Sequence, residues 1–265
     1  MDLYNRFGKV KRIVVKVGTS TITYENGLLN LRHIEKLAKV LSDLKNKGME
    51  VVLVTSGAIG TGAVSLGFKD RPKIMREKQA TAAVGQAMLI QIYHKFFIEY
   101  NQKIAQVLLT KEDIKENERR ENAINTFNTL FEFGVIPIVN ANDTVSTNEL
   151  DFSDNDRLSA HVSEIIGADL LVILTDIDAL YDGNPKTNPN AKRISQVTEI
   201  TDEILNMAGD KGSTFSIGGM SAKLYAAKIC EEGNVDMAVA NGDKPEVIYD
   251  ILEGKDVGTY FLLKK

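Results

Sequence analysis

The chain has 265 residues, a formal net charge of −4 and a sequence pI near 5.6. Its length supports a full hydrophobic core, and its acidic balance argues against a nucleic-acid-binding surface, which needs clustered Lys and Arg. The single cysteine, Cys230, excludes an internal disulfide, and no segment resembles a signal peptide or a membrane span. We therefore expect a cytoplasmic protein that binds neither nucleic acid nor membrane.

Short apolar runs rich in Val and Ile alternate along the chain with segments of helical spacing. The apolar runs cover 13–17, 51–54, 104–109, 135–139, 170–174 and 235–239. The helix candidates cover 32–46, 77–100, 117–133, 154–166, 202–208 and 220–232. Runs that are apolar throughout are typical of strands covered on both faces, so the pattern predicts an α/β fold with a mainly parallel sheet. We interpret residues 1–265 as a single domain, with a turn or hairpin excursion at 181–190.

The first strand carries Lys16 next to its last residue, Val17, and is followed by Gly18, Thr19 and Ser20. A lysine inside an apolar run is costly to bury unless its ammonium group meets an anion. Two interpretations follow: the side chain reaches solvent along its own stem, or it binds a phosphate together with the backbone N–H groups and hydroxyls behind it.

The second strand runs into residues 56–62, SGAIGTG, which superficially match a dinucleotide-binding loop. That loop requires a further strand with an acidic residue at its end, whereas residues 70–80 read DRPKIMREKQA and open a long helix. We reject the dinucleotide interpretation for this reason. Ser56 and the helix start behind it suit either the carboxylate of a small substrate or a plain tight turn.

Residues 140–160, NANDTVSTNELDFSDNDRLSA, form the most polar segment of the chain. The ligand spacing and central glycine of an EF-hand are missing. Helix capping explains one Asp or Asn at a helix start, but not the triplet of Asp154, Asn155 and Asp156. These groups are suited to binding a substrate ammonium group and aligning lysines.

Residues 215–224, FSIGGMSAKL, place a glycine pair before a helix that carries Lys223. The segment is not a Walker loop, because the spacing of that motif is absent. Glycines before a helix start still allow a phosphate to approach the backbone N–H groups closely.

Together these segments resemble the amino acid kinase family, most closely its members that phosphorylate glutamate. The matching stretches are VVKVGTS, VTSGAIG, KQATAAVGQ, QVLLT, NANDTVS, SDNDRLSA, LTDIDALYDGNP and GGMSAKL, and they keep the family's order from residue 13 onward. The resemblance implies a three-layer αβα sandwich with an open, mainly parallel sheet of about eight strands. It also implies a form without the C-terminal PUA domain that many members carry.

The resemblance further implies transfer of phosphate from ATP to the side-chain carboxylate of L-glutamate, giving L-glutamyl 5-phosphate in the first step of proline biosynthesis. Mg²⁺ is expected on the ATP phosphates without a dedicated protein site. Proline is expected as a feedback inhibitor, and the protein as a homo-oligomer. Because the glutamate side chain is already ionised at neutral pH, such a reaction needs positioning and cations rather than a general base.

Site residues carry over position by position. The resemblance implies catalytic roles for Lys16, Asp156 and Lys223. It implies glutamate binding by Ser56, Asp143 and Asn155. It implies ATP binding by Lys16, Thr175, Asp176, Ile217, Gly218, Gly219, Met220, Ser221, Ala222 and Lys223.

The sequence departs from the family pattern at Ser216 and Ile217, where Gly-Thr is common, and at Ala141, where Glu is usual. Acetylglutamate, carbamate and nucleoside-monophosphate kinases stay open as alternatives, as does a non-catalytic regulator that binds an amino acid. Retention of both lysines and of Asp156 argues against the regulator.

Overall fold

A computed structural model of the protein describes residues 3–145, 154–183, 188, 190–207 and 219–264. The helices are α1 (Leu3–Phe7), α2 (Thr19–Ile22), α3 (Leu31–Asn46), α4 (Ala58–Ser65), α5 (Met75–Glu99), α6 (Lys111–Lys115), α7 (Asn117–Glu132), α8 (Asn155–Ile165), α9 (Asp202–Met207), α10 (Met220–Glu232) and α11 (Val247–Leu252). The strands are β1 (Arg12–Val17), β2 (Glu50–Val54), β3 (Lys103–Leu109), β4 (Val135–Ala141), β5 (Leu170–Thr175), β6 (Leu180–Tyr181), β7 (Arg193–Ile194), β8 (Gln196–Val197), β9 (Asp236–Asn241) and β10 (Gly258–Phe261).

Eight of these strands form a mainly parallel sheet flanked by helices, which confirms the predicted αβα fold. The chain groups into two compact units, residues 17–155 and residues 1–16 with 156–265. In the first unit the strand order is β3-β4-β2, all parallel. In the second it is β1-β5-β9-β10-β8, where only the β9–β10 pair is antiparallel among the pairs whose register is given. The assignment of a single domain stays a prediction.

The predicted elements agree closely with the observed ones. Five of the six apolar runs lie wholly within strands, the sixth (235–239) begins one residue before β9, and the helix predicted at 220–232 has the same bounds as α10. The antiparallel pair of β6 and β7 brackets the excursion predicted at 181–190. The short elements α1, α2, α6, α11, β7 and β8 were not predicted, because two to six residues are too few to show a periodic pattern.

Two glycines let α4 and α5 pack backbone against backbone. A Cβ atom on Gly62 would lie 1.8 Å from the Thr81 carbonyl oxygen, and one on Gly85 would lie 1.9 Å from the Ala58 carbonyl oxygen. The helix α4 begins directly after Ser56 and Gly57. The close packing of α4 on α5 therefore also fixes the position of Ser56 at the end of β2. Gly62, one of the glycines in the segment that superficially matched a dinucleotide loop, therefore serves helix packing.

In the other unit, Asp236 anchors both ends of the chain. Its buried carboxylate accepts hydrogen bonds from the Arg6 guanidinium at 2.5 and 2.7 Å and from the backbone N–H groups of Leu263 and Lys264 at 2.8 Å. Nearby, Cys230 is fully buried on α10, as the apolar pattern around it predicts, and burial raises the pKa of its thiol. Among the described helices, none has both the length and the apolar character needed to cross a bilayer.

We expect Gly62→Ala to destabilise the protein by at least about 2 kcal/mol, because the new methyl group meets a backbone carbonyl that cannot swing away. Gly60→Ala is the matched control on the same helix, since nothing lies within 4 Å of a Cβ atom there. That control should be neutral or gain up to about 1 kcal/mol of helix propensity. Urea unfolding of the two variants measures the difference, and equal stabilities would contradict the close-packing argument.

Candidate active site

A single buried carboxylate joins the two lysines that the sequence singles out. Lys16 Nζ lies 2.5 Å from Asp156 Oδ1, and Lys223 Nζ lies 3.1 Å from Asp156 Oδ2. The side chains of Lys16, Asp156 and Lys223 are 9%, 1% and 5% exposed, so none of them extends into bulk water. The interpretation of Lys16 as a solvent-reaching side chain is therefore wrong.

The electrostatics of this cluster favour an anionic ligand. Burial by itself would raise the pKa of Asp156, but the charges of Lys16 and Lys223 outweigh it and hold that pKa below its ordinary value. Asp156 is therefore ionised at neutral pH, and one negative charge faces two positive ones. Buried charges are costly unless they are balanced. The positive charge that remains among these three side chains therefore favours the binding of a phosphate or a similar anion.

Three elements present these side chains. Lys16 is the penultimate residue of β1, Asp156 lies in the first turn of α8, and Lys223 lies in the first turn of α10. The Lys223 ammonium group also lies 3.5 Å from the carbonyl oxygen of Gly219, the residue before α10. Lys223 thus points back toward the start of its own helix, where the backbone N–H groups of a first helical turn would add to the attraction for phosphate.

The other residues assigned to the nucleotide belong to the same unit. Thr175 is the last residue of β5, and its hydroxyl donates to the Asp176 carboxylate at 3.0 Å. Met220, Ser221 and Ala222 form the first turn of α10. Ile217 and Gly218 lie outside the described residues.

The residues assigned to the amino-acid substrate belong to the unit formed by residues 17–155. Asn155 Nδ2 lies 2.7 Å from the Thr55 carbonyl oxygen, 2.9 Å from Ser56 Oγ and 2.9 Å from Asn140 Oδ1. Asn155 therefore ties the first residue of α8 to the ends of β2 and β4. Gly57, which follows Ser56, has φ of +97°, a left-handed conformation that favours glycine at this turn.

A cavity of about 840 Å³ lies in this unit, and its size suits a small-molecule ligand. Ser56, Asn140, Asp143 and Asn155 all line it. Burial raises the pKa of Asp143, and the nearby Arg71 guanidinium offsets only part of that effect. The cavity thus brings the three residues predicted to bind the amino acid to one place.

Some residues of this cavity were not given a role from the sequence. Asn140 donates to Gln86 Oε1 at 2.7 Å, while its own Oδ1 accepts from Asn155. Gln86 on α5 therefore orients Asn140 and, through it, Asn155. Gln86 is the last residue of KQATAAVGQ, one of the stretches that resemble the family. Its place in that stretch is the feature of the sequence that could have marked it. Arg71 lies in a segment interpreted only as a charged helix opening, and no local pattern marks it as a cavity residue.

Comparison with known proteins decides the family. The model of the Amino acid kinase family matches residues 11–241. The chain belongs to the amino acid kinase family. It is 56% identical over 260 residues to the glutamate 5-kinase of Clostridium perfringens, covering 96% of each chain. It is 52% identical over 259 residues to the glutamate 5-kinase of Listeria innocua, covering 96% of this chain and 94% of that one.

Solved structures show the same fold. The UMP kinase of Ureaplasma parvum superposes with a TM-score of 0.66, covering 97% of this chain and 100% of that one, at 20% sequence identity. At that identity the likeness supports the fold alone. The expected αβα architecture and the family's kinase chemistry are thus shown, whereas the roles of individual site residues stay predictions.

Replacing Lys223 by Met should lower kcat by about 10²–10³, because it removes one preorganised positive charge from the place where phosphoryl transfer is expected. Lys228→Met is the matched control, since Lys228 lies on the same helix and is exposed. It should leave kcat within about two-fold of the wild-type value. Steady-state kinetics at saturating ATP, with melting curves to establish folding, make the comparison. Normal turnover of Lys223→Met would show that this lysine does not act on the phosphate.

Proposed function

We propose that the protein transfers the γ-phosphoryl group of ATP to the side-chain carboxylate of L-glutamate, giving L-glutamyl 5-phosphate. The observation that carries this proposal is identity of 56% and 52% to two glutamate 5-kinases over nearly the whole chain. The product is an activated acyl phosphate, the first intermediate of proline biosynthesis. Acetylglutamate, carbamate and UMP kinases share the fold class but are the less supported alternatives.

In this proposal Lys16 and Lys223 offset the charge that spreads over the transferred phosphoryl group, while Asp156 keeps both ammonium groups aligned. Their separations of 2.5 and 3.1 Å from one carboxylate support this role. Phosphoryl transfer depends on such positioning and charge stabilisation rather than on covalent chemistry by the protein. Thr175 and Asp176, with the segment from Ile217 to Lys223, hold the nucleotide.

Mg²⁺ bound to ATP supplies further neutralisation of phosphate charge. Within the described part of the chain, no group of three or more His, Cys, Asp or Glu side chains is arranged to hold a metal. An ion held mainly by phosphate oxygens and water, as Mg²⁺ commonly is, would need few protein ligands. Among the residues proposed to hold the nucleotide, Thr175 and Asp176 carry side-chain oxygen atoms and are hydrogen-bonded to each other.

The amino acid binds, in this proposal, through its main-chain groups in the cavity of about 840 Å³. The Asp143 carboxylate pairs with the substrate ammonium group. The Ser56 hydroxyl and the backbone N–H groups of the helix start that follows it donate to the α-carboxylate, and Asn155 holds Ser56 in place at 2.9 Å. Asn155 and Asp156 are neighbours in sequence, so one peptide unit links the residues assigned to glutamate with those assigned to phosphate.

An acceptor assay tests the proposal directly. ATP consumption is measured with glutamate, N-acetylglutamate, aspartate and carbamate in parallel, with hydroxylamine present to trap an acyl phosphate as a hydroxamate. Glutamate should be the best acceptor, and N-acetylglutamate, which lacks the ammonium group, should have a kcat/KM lower by about 10–100-fold. Lys16→Met serves as the control for contaminating kinases. Preference for any other acceptor would overturn the proposal.

The pH dependence of glutamate use should report Asp143. Because burial raises the pKa of Asp143, its charge is lost at a higher pH than that of an ordinary aspartate as the solution is acidified. We therefore expect kcat/KM for glutamate to fall on the acidic side earlier than an ordinary carboxylate would dictate, since protonated Asp143 cannot pair with an ammonium group. Asp143→Asn should lose about 10–100-fold in kcat/KM for glutamate at neutral pH and lose this limb of the profile. A change in KM for ATP as large as that for glutamate would place Asp143 elsewhere.

Feedback inhibition by proline belongs to the same proposal. Proline carries an α-carboxylate and a secondary ammonium group but no side-chain carboxylate, so it can occupy the main-chain contacts and cannot react. Inhibition should be competitive with glutamate, and Asp143→Asn should weaken glutamate and proline together. Proline titrations at several fixed glutamate concentrations measure this. Inhibition that saturating glutamate does not relieve would require a separate regulatory site.

A further inference from the structure

A cation–π contact joins α8 and α10 beside the lysine cluster. The guanidinium carbon of Arg157 lies 4.4 Å from the centre of the Tyr225 ring. Arg157 directly follows Asp156, and Tyr225 lies two residues after Lys223. The two helices are therefore joined at two neighbouring points, one ionic and buried, the other stacked and partly exposed, since Tyr225 is 51% exposed.

The ionic contact by itself does not fix the position of the Lys223 ammonium group. A lysine side chain is a flexible four-carbon stem, so many placements of α10 satisfy a single ammonium–carboxylate distance. A bound phosphate also competes with Asp156 for the same ammonium group, which weakens the ionic contact when the position of Lys223 matters most. The contact between Arg157 and Tyr225 does not involve Asp156 and is not lost in that competition.

We propose that Arg157 and Tyr225 are positioning residues that hold the N-terminal part of α10 against the first turn of α8, and so keep Lys223 aligned for phosphoryl transfer. This inference rests on the proposed kinase function. Arg157 is suited to the task because its planar guanidinium group stacks on an aromatic face, which an ammonium group does less well. Neither residue needs to touch the substrate.

Four variants test the pair. Tyr225→Leu removes the aromatic face and Arg157→Met removes the charge while keeping a long side chain. Each should lower kcat by about 5–30-fold, because a displacement of a fraction of an ångström at a catalytic group is costly, and each should leave KM for glutamate within about two-fold. Tyr225→Phe keeps the ring and should restore kcat to within about two-fold of wild type. Arg157→Lys should fall between Arg157→Met and wild type.

Double variants separate positioning from a general structural effect. The kcat of Arg157→Met combined with Tyr225→Leu should equal that of the single variants, because both remove the same contact. In a Lys223→Met background, Tyr225→Leu should have no further effect on kcat, since the group that it positions is already gone. Lys228→Met combined with Tyr225→Leu is the matched control and should show the full 5–30-fold loss, about the same as Tyr225→Leu alone.

Three results would overturn the inference. Unchanged kcat in Tyr225→Leu and Arg157→Met would show that the contact has no role, and an undiminished loss in the Lys223→Met background would show a general structural effect. A rise in KM for ATP with Tyr225→Leu but not with Arg157→Met would show that the ring contacts the nucleotide itself. All assays use whichever acceptor the wild-type protein phosphorylates best, so a wrong substrate assignment is detected in the wild type and does not disturb this test.

Discussion

Two lysine ammonium groups share one buried carboxylate, and this arrangement joins β1, α8 and α10. Burying an ion costs several kcal/mol unless a partner of opposite charge compensates it. Lys16 on β1 and Lys223 on α10 can both be buried because Asp156 on α8 faces each of them, at 2.5 and 3.1 Å. Among these three described side chains one positive charge is left over, and a phosphate group is the ligand class that such an excess attracts. The same cluster thus links the packing of three elements to the chemistry that the family performs.

In the unit formed by residues 17–155, uncharged polar and acidic side chains lie around a cavity. The helices α4 and α5 approach so closely at Gly62 and Gly85 that no side chain fits between them. That packing places the start of α4 behind Ser56, while Gln86 on the neighbouring helix orients Asn140 and, through it, Asn155. The chain passes from this unit to the other between Asn155 and Asp156, so a single helix start carries one residue of each set.

The residues of the two sets differ in how clearly the sequence marks them, for physical reasons. Lys16 stands out because a charge in an apolar strand demands an explanation, and Lys223 stands out because glycines precede its helix. Asn140 is marked only as a member of the polar segment 140–160, without a role of its own. Gln86 does not stand out, because a polar residue on a helix is ordinary until its partner is known. Arg71 and Tyr225 are more difficult still, since Arg71 lies in a charged segment and Tyr225 lies between apolar residues of α10.

The α/β class of this protein is determined by its sequence, because strands that are apolar on both faces must be covered on both sides by helices. The order of the motifs also determined the family, since eight short matches in one order cannot arise from packing alone. Only the tertiary structure decided which charges meet. Lys16, Asp156 and Lys223 are 140 and 67 residues apart along the chain, and no local pattern encodes a contact over such distances. Likewise, Gly62 and Gly85 reveal their role only in the folded chain, because what matters there is the absence of a side chain between two backbones.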